Sequence, residues 1–227
     1  MNKIELTVWM GMTVRNILLS PVIKNLLNNF EIDIHTTFRN EFLKRKDLDQ
    51  NKIDFRDIYI SNTKRRLSRV LYQWNYHALW KQHHPSTMEK YILQEKSTRS
   101  IKYLFNYLGG YFVQKVRNKK ETDWLRDLSY RIPINHKIDS VDALLVTSTD
   151  LIKDQILMYS YKKLGIPIVA LVHSWDNLPS RGLLAVEPDR MLVWNEYMVQ
   201  DALKYHNIPK EKIDIVGVPQ FELYRKN

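Results

Sequence analysis

His173, Ser174, Trp175, Asp176 and Asn177 place an imidazole, a hydroxyl, an indole, a carboxylate and an amide in five consecutive residues. Imidazole titrates near neutral pH, so His173 is the candidate general base for removing a proton from a substrate hydroxyl. The plain alternative is a histidine that bonds a loop carbonyl. Asp176 either orients His173, acts as the base itself, or closes an Asx-turn or caps a helix. Trp175 and Asn177 are suited to shaping the loop or lining a pocket. Arg181, in the same loop, either grips a phosphate with two N–H groups or is an exposed loop arginine.

Three further clusters have the same character. Thr147, Ser148 and Asp150 offer two hydroxyls and a carboxylate, either to a ligand or to the start of a helix. Thr13 and Arg15 follow a glycine turn, where related sheets cradle phosphate. Asn195 and Glu196 close the run Met191-Leu192-Val193-Trp194. The glycine fingerprint of dinucleotide binding, the Walker loop and the serine-hydrolase elbow are all missing. The pair His83-His84 has no carboxylate or cysteine at metal spacing, so no metal site is expected.

These clusters share a position. Residues 166–172 are an apolar run without alternation, as in a strand buried on both faces of a parallel sheet. In such sheets ligands bind beyond the carboxyl ends of the strands, and each cluster directly follows a strand-like run. Residues 4–9, 31–37, 55–60, 143–147, 166–172, 191–194 and 213–216 read as seven strands. Helical pieces lie between them: one opening at Ser20-Pro21, a charged one over 40–46, and others over 151–163 and 196–206. The expected fold is α/β, a Rossmann-like, doubly wound, mostly parallel sheet in one domain over 1–227.

A basic segment at 61–138 interrupts that rhythm. Residues 61–120 hold thirteen Lys or Arg against Glu89 and Glu95, in a chain whose whole net charge is +10. Leu67, Val70, Leu71, Trp74 and Ala78 recur at helical spacing, as do Ile101, Leu104, Phe105, Leu108, Phe112 and Val116. Two long amphipathic helices are expected, broken near His83-His84-Pro85 and kinked at Gly109-Gly110. Ten Trp, Tyr and Phe residues lie among the basic ones. That mixture suits an anionic membrane surface, a phosphate-bearing substrate or nucleic acid. No helix-turn-helix, RNP motif or zinc finger supports the last. The chain has no cysteine, no signal peptide and no membrane-length apolar run, so a cytoplasmic protein, peripheral on the inner face of the membrane, is expected.

The stretch from His173 to Phe221, H-S-W-D-N-L-P-S-R-G…P-D-R-M-L-V-W-N-E…H-N-I-P-K-E-K-I-D-I-V-G-V-P-Q-F, carries a family likeness. It resembles the amino-terminal domain of bacterial glycosyltransferases with two Rossmann-like halves (the GT-B fold). It is also similar to the CDP-glycerol glycerophosphotransferases of surface polysaccharide synthesis. The resemblance implies an acceptor-binding half, with His173 and Asp176 facing the acceptor hydroxyl. Ser174, Asn177, Asn195 and Glu196 would line the cleft.

It also implies that a nucleotide-activated donor binds a second domain, which the chain would lack, and that neither metal nor cofactor is needed. The partners so implied are a carbohydrate or lipid-linked acceptor and a possible second Rossmann-like chain. On its own the chain would be inactive or nearly so. The rival readings are a non-catalytic subunit that recruits its partner to the membrane and, less favoured, a nucleic-acid-binding protein.

Overall fold

The computed structural model describes residues 2–56, 58, 62–117, 141–184 and 186–224. Seven strands, β1 (Asn2–Val8), β2 (Phe30–Thr36), β3 (Ile53–Arg56), β4 (Ala143–Val146), β5 (Ile168–Leu171), β6 (Arg190–Val193) and β7 (Ile213–Ile215), form one sheet. Its order is β3-β2-β1-β4-β5-β6-β7, and every pairing is parallel. Parallel neighbours need a crossover connection, and the connections here are helical. The Rossmann-like, doubly wound sheet read from the sequence is the fold. Strand order reverses between β1 and β4, where a crevice opens at the carboxyl ends.

Helices α1 (Gly11–Ile17), α2 (Val22–Asn29) and α3 (Arg39–Leu43) contribute Ile17, Ile23, Leu27 and Phe42 to a core with Leu6 and Ile34. On the opposite face α7 (Ile152–Lys163) packs Ile156 and Leu157 against Leu144 and Val146. Beside it α9 (Glu196–His206) packs Met198 and Ala202 against Met191 and Val193. A four-residue turn of helix, α8 (Asn177–Ser180), lies between β5 and β6.

The alternation in β2 has an unusual cause. Alternation alone suits a strand with one wet face, yet Asp33 and His35 are as buried as Ile32 and Ile34. Each finds an ionisable partner on a neighbouring strand instead. His35 Nε2 lies 2.6 Å from Glu5 Oε2, and Asp33 pairs with Lys3 at 3.0 Å and Arg56 at 2.9 Å. Breaking such a buried pair strands the other charge, so these residues are expected to be intolerant of single substitution.

The basic segment corrects three expectations. The third strand runs over Ile53–Arg56 rather than 55–60; Ile58 lies outside it, and residues 57, 59 and 60 lie outside the described residues. Three helices follow, not two: α4 (Asn62–His83), α5 (Ser86–Thr98) and α6 (Ser100–Arg117). The break at His83-His84-Pro85 is where expected, with His84 at φ 46° turning the chain. Gly109 and Gly110 lie inside the continuous helix α6, at its crossing with α4. A β-carbon on Gly110 would sit 2.7 Å from His77 Cβ, and one on Gly109 2.2 Å from the Trp74 indole. The glycines serve close approach of two helices. Residues 118–140, with Lys119 and Lys120, lie outside the described residues, and among those described no helix is long and apolar enough to cross a membrane.

Candidate functional site

The loop after β5 carries His173, Ser174, Trp175 and Asp176. His173 is 3% exposed. Asn177 Nδ2 lies 3.1 Å from both of its ring nitrogens, which puts the amide over the ring rather than on either lone-pair axis. The Asn16 amide reaches the His173 carbonyl at 3.5 Å. Burial pushes the imidazole pKa below its ordinary value; Asp150, Asp176 and the Thr147 backbone oppose that, while Arg181 adds to it. A neutral ring results, the form a base needs, but one sealed from solvent. Asp176 has a different setting. Its Oδ1 accepts from Ser174 Oγ at 2.6 Å, and its backbone carbonyl accepts from Ser180 Oγ. Among the described residues no hydrogen bond joins Asp176 to His173.

Trp175, Asp176 and Arg181 line a cavity of about 760 Å³ that α4 and α5 complete. Tyr72 and Tyr76 come from α4, and Tyr91 and Glu95 from α5. Trp175 and Tyr91 are 64% and 65% exposed, so both offer a ring face to solvent. Burial pushes the Tyr76 phenol up to about 12, which keeps it a hydrogen-bond donor at any ordinary pH. Glu95 is anchored on three sides, by His77 at 2.8 Å, Asn106 at 2.9 Å and Lys102 at 3.1 Å.

A second cleft, of about 740 Å³, opens at the reversal of strand order. Trp9 and Met10 at the end of β1 form one side, and the start of α7 adds Leu151 and Lys153. Arg65, Arg69 and Tyr72 of α4 close over it. Asp150 and Arg181 complete the lining: Asp150 accepts from Ser148 Oγ at 2.5 Å and lies 3.6 Å from Arg181 Nε. Tyr72 and Arg181 belong to both cavities. Beneath this cleft the fully buried Asp154 takes the Trp9 indole N–H at 2.7 Å. Burial pushes its carboxyl up to about 7, against the lowering effect of that bond.

The remaining sequence-derived residues line neither cavity. Thr13 is buried and exchanges hydrogen bonds with the backbone of Met10, while Arg15 is exposed on α1. Thr147 Oγ1 donates to the Thr7 carbonyl at 2.5 Å, tying β4 to β1. Asn195 caps α9 by accepting from Met198 N–H at 3.1 Å, and Glu196 beside it accepts from Gln200. Ser174 and Ser148 donate to Asp176 and Asp150, and the Asn177 amide lies against His173.

The residues that sequence reasoning passed over come from the basic segment. Asn62, Arg65, Arg69 and Tyr72 recur at helical spacing and form a polar stripe facing the cleft. The same helix carries an apolar stripe of Leu67, Val70, Leu71, Trp74 and Ala78, which masks the polar one in the sequence.

No family model matches the chain. Among solved structures, UGT89C1 of Arabidopsis thaliana complexed with UDP aligns with 96% of this chain and 50% of its own, at 12% identity and a TM-score of 0.44. The chain spans about half the length of that protein.

Proposed function

We propose that the chain is the acceptor-binding half of a glycosyltransferase of cell-surface polysaccharide synthesis, with a nucleotide-activated donor of a sugar or polyol phosphate held on a second Rossmann-like domain or chain. The observation that carries this reading is the cavity beside β5, edged by the rings of Trp175 and Tyr91 and walled by Asp176 and Glu95. Such a surface suits a saccharide, whose apolar ring faces stack on aromatics while its hydroxyls meet carboxylates and amides. The S-W-D-N loop on which the family resemblance rests contributes two of these residues.

In this reaction the acceptor hydroxyl attacks the anomeric carbon or the phosphorus of the donor. The bond to the departing nucleotide breaks, and the hydroxyl proton passes to a base. Asp176 is the base in this reading, because it lines the cavity. Ser174 holds one of its oxygens and leaves the other toward the substrate. His173, sealed beneath the loop, is a positioning residue. The test is transfer from labelled nucleotide donors to oligosaccharides by the chain together with its donor-binding half. D176N should lower turnover at least ~100-fold while acceptor affinity stays nearly constant. Full activity in D176N removes Asp176 from the role, and a chain that binds no saccharide removes the reading.

A separate observation favours membrane recruitment as a companion role. Ile101, Leu104, Phe105 and Leu108 on α6 are 53–88% exposed, with the basic Arg99, Lys102 and Lys115 close by in sequence. An outward apolar stripe flanked by cations matches an anionic phospholipid surface at the inner face of the membrane. Co-sedimentation with phosphatidylglycerol vesicles, lost in I101E/L108E, is the expected result. Binding of RNA in place of vesicles would favour the nucleic-acid reading.

A further inference from the structure

We propose that the cleft at the reversal of strand order is an anion subsite that takes a phosphate or diphosphate group carried by the acceptor. That the ligand is an acceptor rests on the reading above; its charge follows from the cleft alone. Arg65, Arg69, Lys153 and Arg181 reach the cleft from three separate elements, and Asp150 is the sole carboxylate among its described lining residues. Asp150 is already engaged by Ser148 and Arg181. Arg65 and Arg69 have neither an ion pair nor a hydrogen bond among the described residues. Like charges four residues apart on a helix repel each other, and a shared anion relieves that repulsion. Guanidinium groups match phosphate oxygens in two-point geometry, which lysine cannot do.

Two further features agree in sign and shape. α7 opens onto the cleft behind Leu151, without a side-chain cap, so the positive end of its dipole adds to the arginines. Trp9 supplies a half-buried ring with the Lys153 ammonium 4.2 Å from its centroid. Because Tyr72 and Arg181 line both cavities, a phosphate seated on the arginines leaves its attached sugar pointing toward Trp175 and Tyr91. The ligand class is a phosphorylated saccharide.

Inorganic pyrophosphate is the first probe, titrated calorimetrically into the chain. Saturable binding that weakens as salt rises is expected. R65A/R69A should weaken it at least tenfold, whereas K90A, an exposed lysine of α5 that lines neither cavity, should leave it unchanged. Both arginines are exposed, so the double variant keeps its fold, which circular dichroism checks. R65K/R69K, retaining charge without the fork, should fall between.

Competition by glucose 1-phosphate assigns the anion to a soluble ester, and competition by phosphatidylglycerol vesicles alone assigns it to a lipid headgroup; either supports the subsite. Absence of saturable pyrophosphate binding, or equal binding in R65A/R69A, overturns it. A chain that transfers sugar but ignores pyrophosphate refutes this inference alone. One that binds pyrophosphate but no saccharide refutes only the acceptor reading.

Discussion

Trp9 gives its indole N–H to the Asp154 carboxyl at 2.7 Å, joining the end of β1 to the first turn of α7 directly under the cleft. The bond spans the place where strand order reverses, so it ties the end of β1 to the helix that follows β4. Asp154 is fully buried, and its pKa is pushed up to about 7 by loss of solvent.

That shift makes a pH prediction. Between the ordinary carboxyl value of 3.8 and about 7, the folded state holds a proton that the unfolded state has released. Stability from this group is therefore complete at low pH and is lost as pH rises through about 7. D154N, which cannot ionise but can still accept from Trp9, should gain on the wild type with rising pH. The gain by pH 8 is expected to be on the order of a few kcal/mol. Melting curves from pH 5 to 8 check this, and parallel curves for the two proteins would refute it.

His173 should behave with the opposite sign. Its pKa is held below 6.5, chiefly by burial, so on acidification the unfolded chain takes up a proton before the folded one does. Stability from this group is full above pH 6.5 and falls as pH drops through the folded value. His77 and His83 shift the same way, so the test is a difference: H173Q should lose less melting temperature than wild type between pH 7 and 5. An imidazole resonance of His173 titrating above 6.5 would contradict the assignment.

How much of this could be read from residues alone depended on where their partners lay. The strands β4, β5 and β6 were legible because an unbroken apolar run needs no partner to be recognised. The helix α5 was not, since only Met88 and Ile92 of its thirteen residues are buried hydrophobics, too few to set a period. Glu5 and His35 gave no sign of pairing, because their contact joins strands thirty residues apart. The loop at 173–181 follows an apolar strand that needs no partner to be recognised, but Tyr72 and Tyr91, which share its cavity, lie about a hundred residues away. Their aromatic character was visible and suggested a membrane surface. Only the packing of α4 and α5 against that loop turns them toward a cavity.

If the aromatic cavity holds a saccharide, W175A and Y91A should each weaken oligosaccharide binding by about tenfold, the equivalent of roughly 1.4 kcal/mol. Both side chains are mostly exposed, so melting temperature should move little. Affinity measured by calorimetry beside a thermal melt separates the two effects. Equal loss of both would mean that the rings hold the fold instead.

The loop's own seat is set by Gly182, at φ 85° and pressed against α4. A β-carbon there would lie 2.9 Å from the Tyr76 backbone nitrogen and 3.0 Å from its Cα, atoms that cannot yield without moving the helix. Leu183 next to it hydrogen-bonds the Asn75 carbonyl at 3.3 Å, so the contact is fastened as well as close. G182A combines a left-handed backbone with a steric clash and should cost about 2–4 kcal/mol. For a chain of this size that lowers the melting temperature by about 5–15 °C. Gly165 provides the control: its φ is 71°, but no neighbouring atom lies within 4 Å of an added β-carbon. G165A should therefore cost only the conformational share, about 1–2 kcal/mol. If the two variants melt together, the close approach to Tyr76 contributes nothing. If G182A alone also weakens saccharide binding, the contact between the loop and α4 holds Trp175 and Asp176 in place.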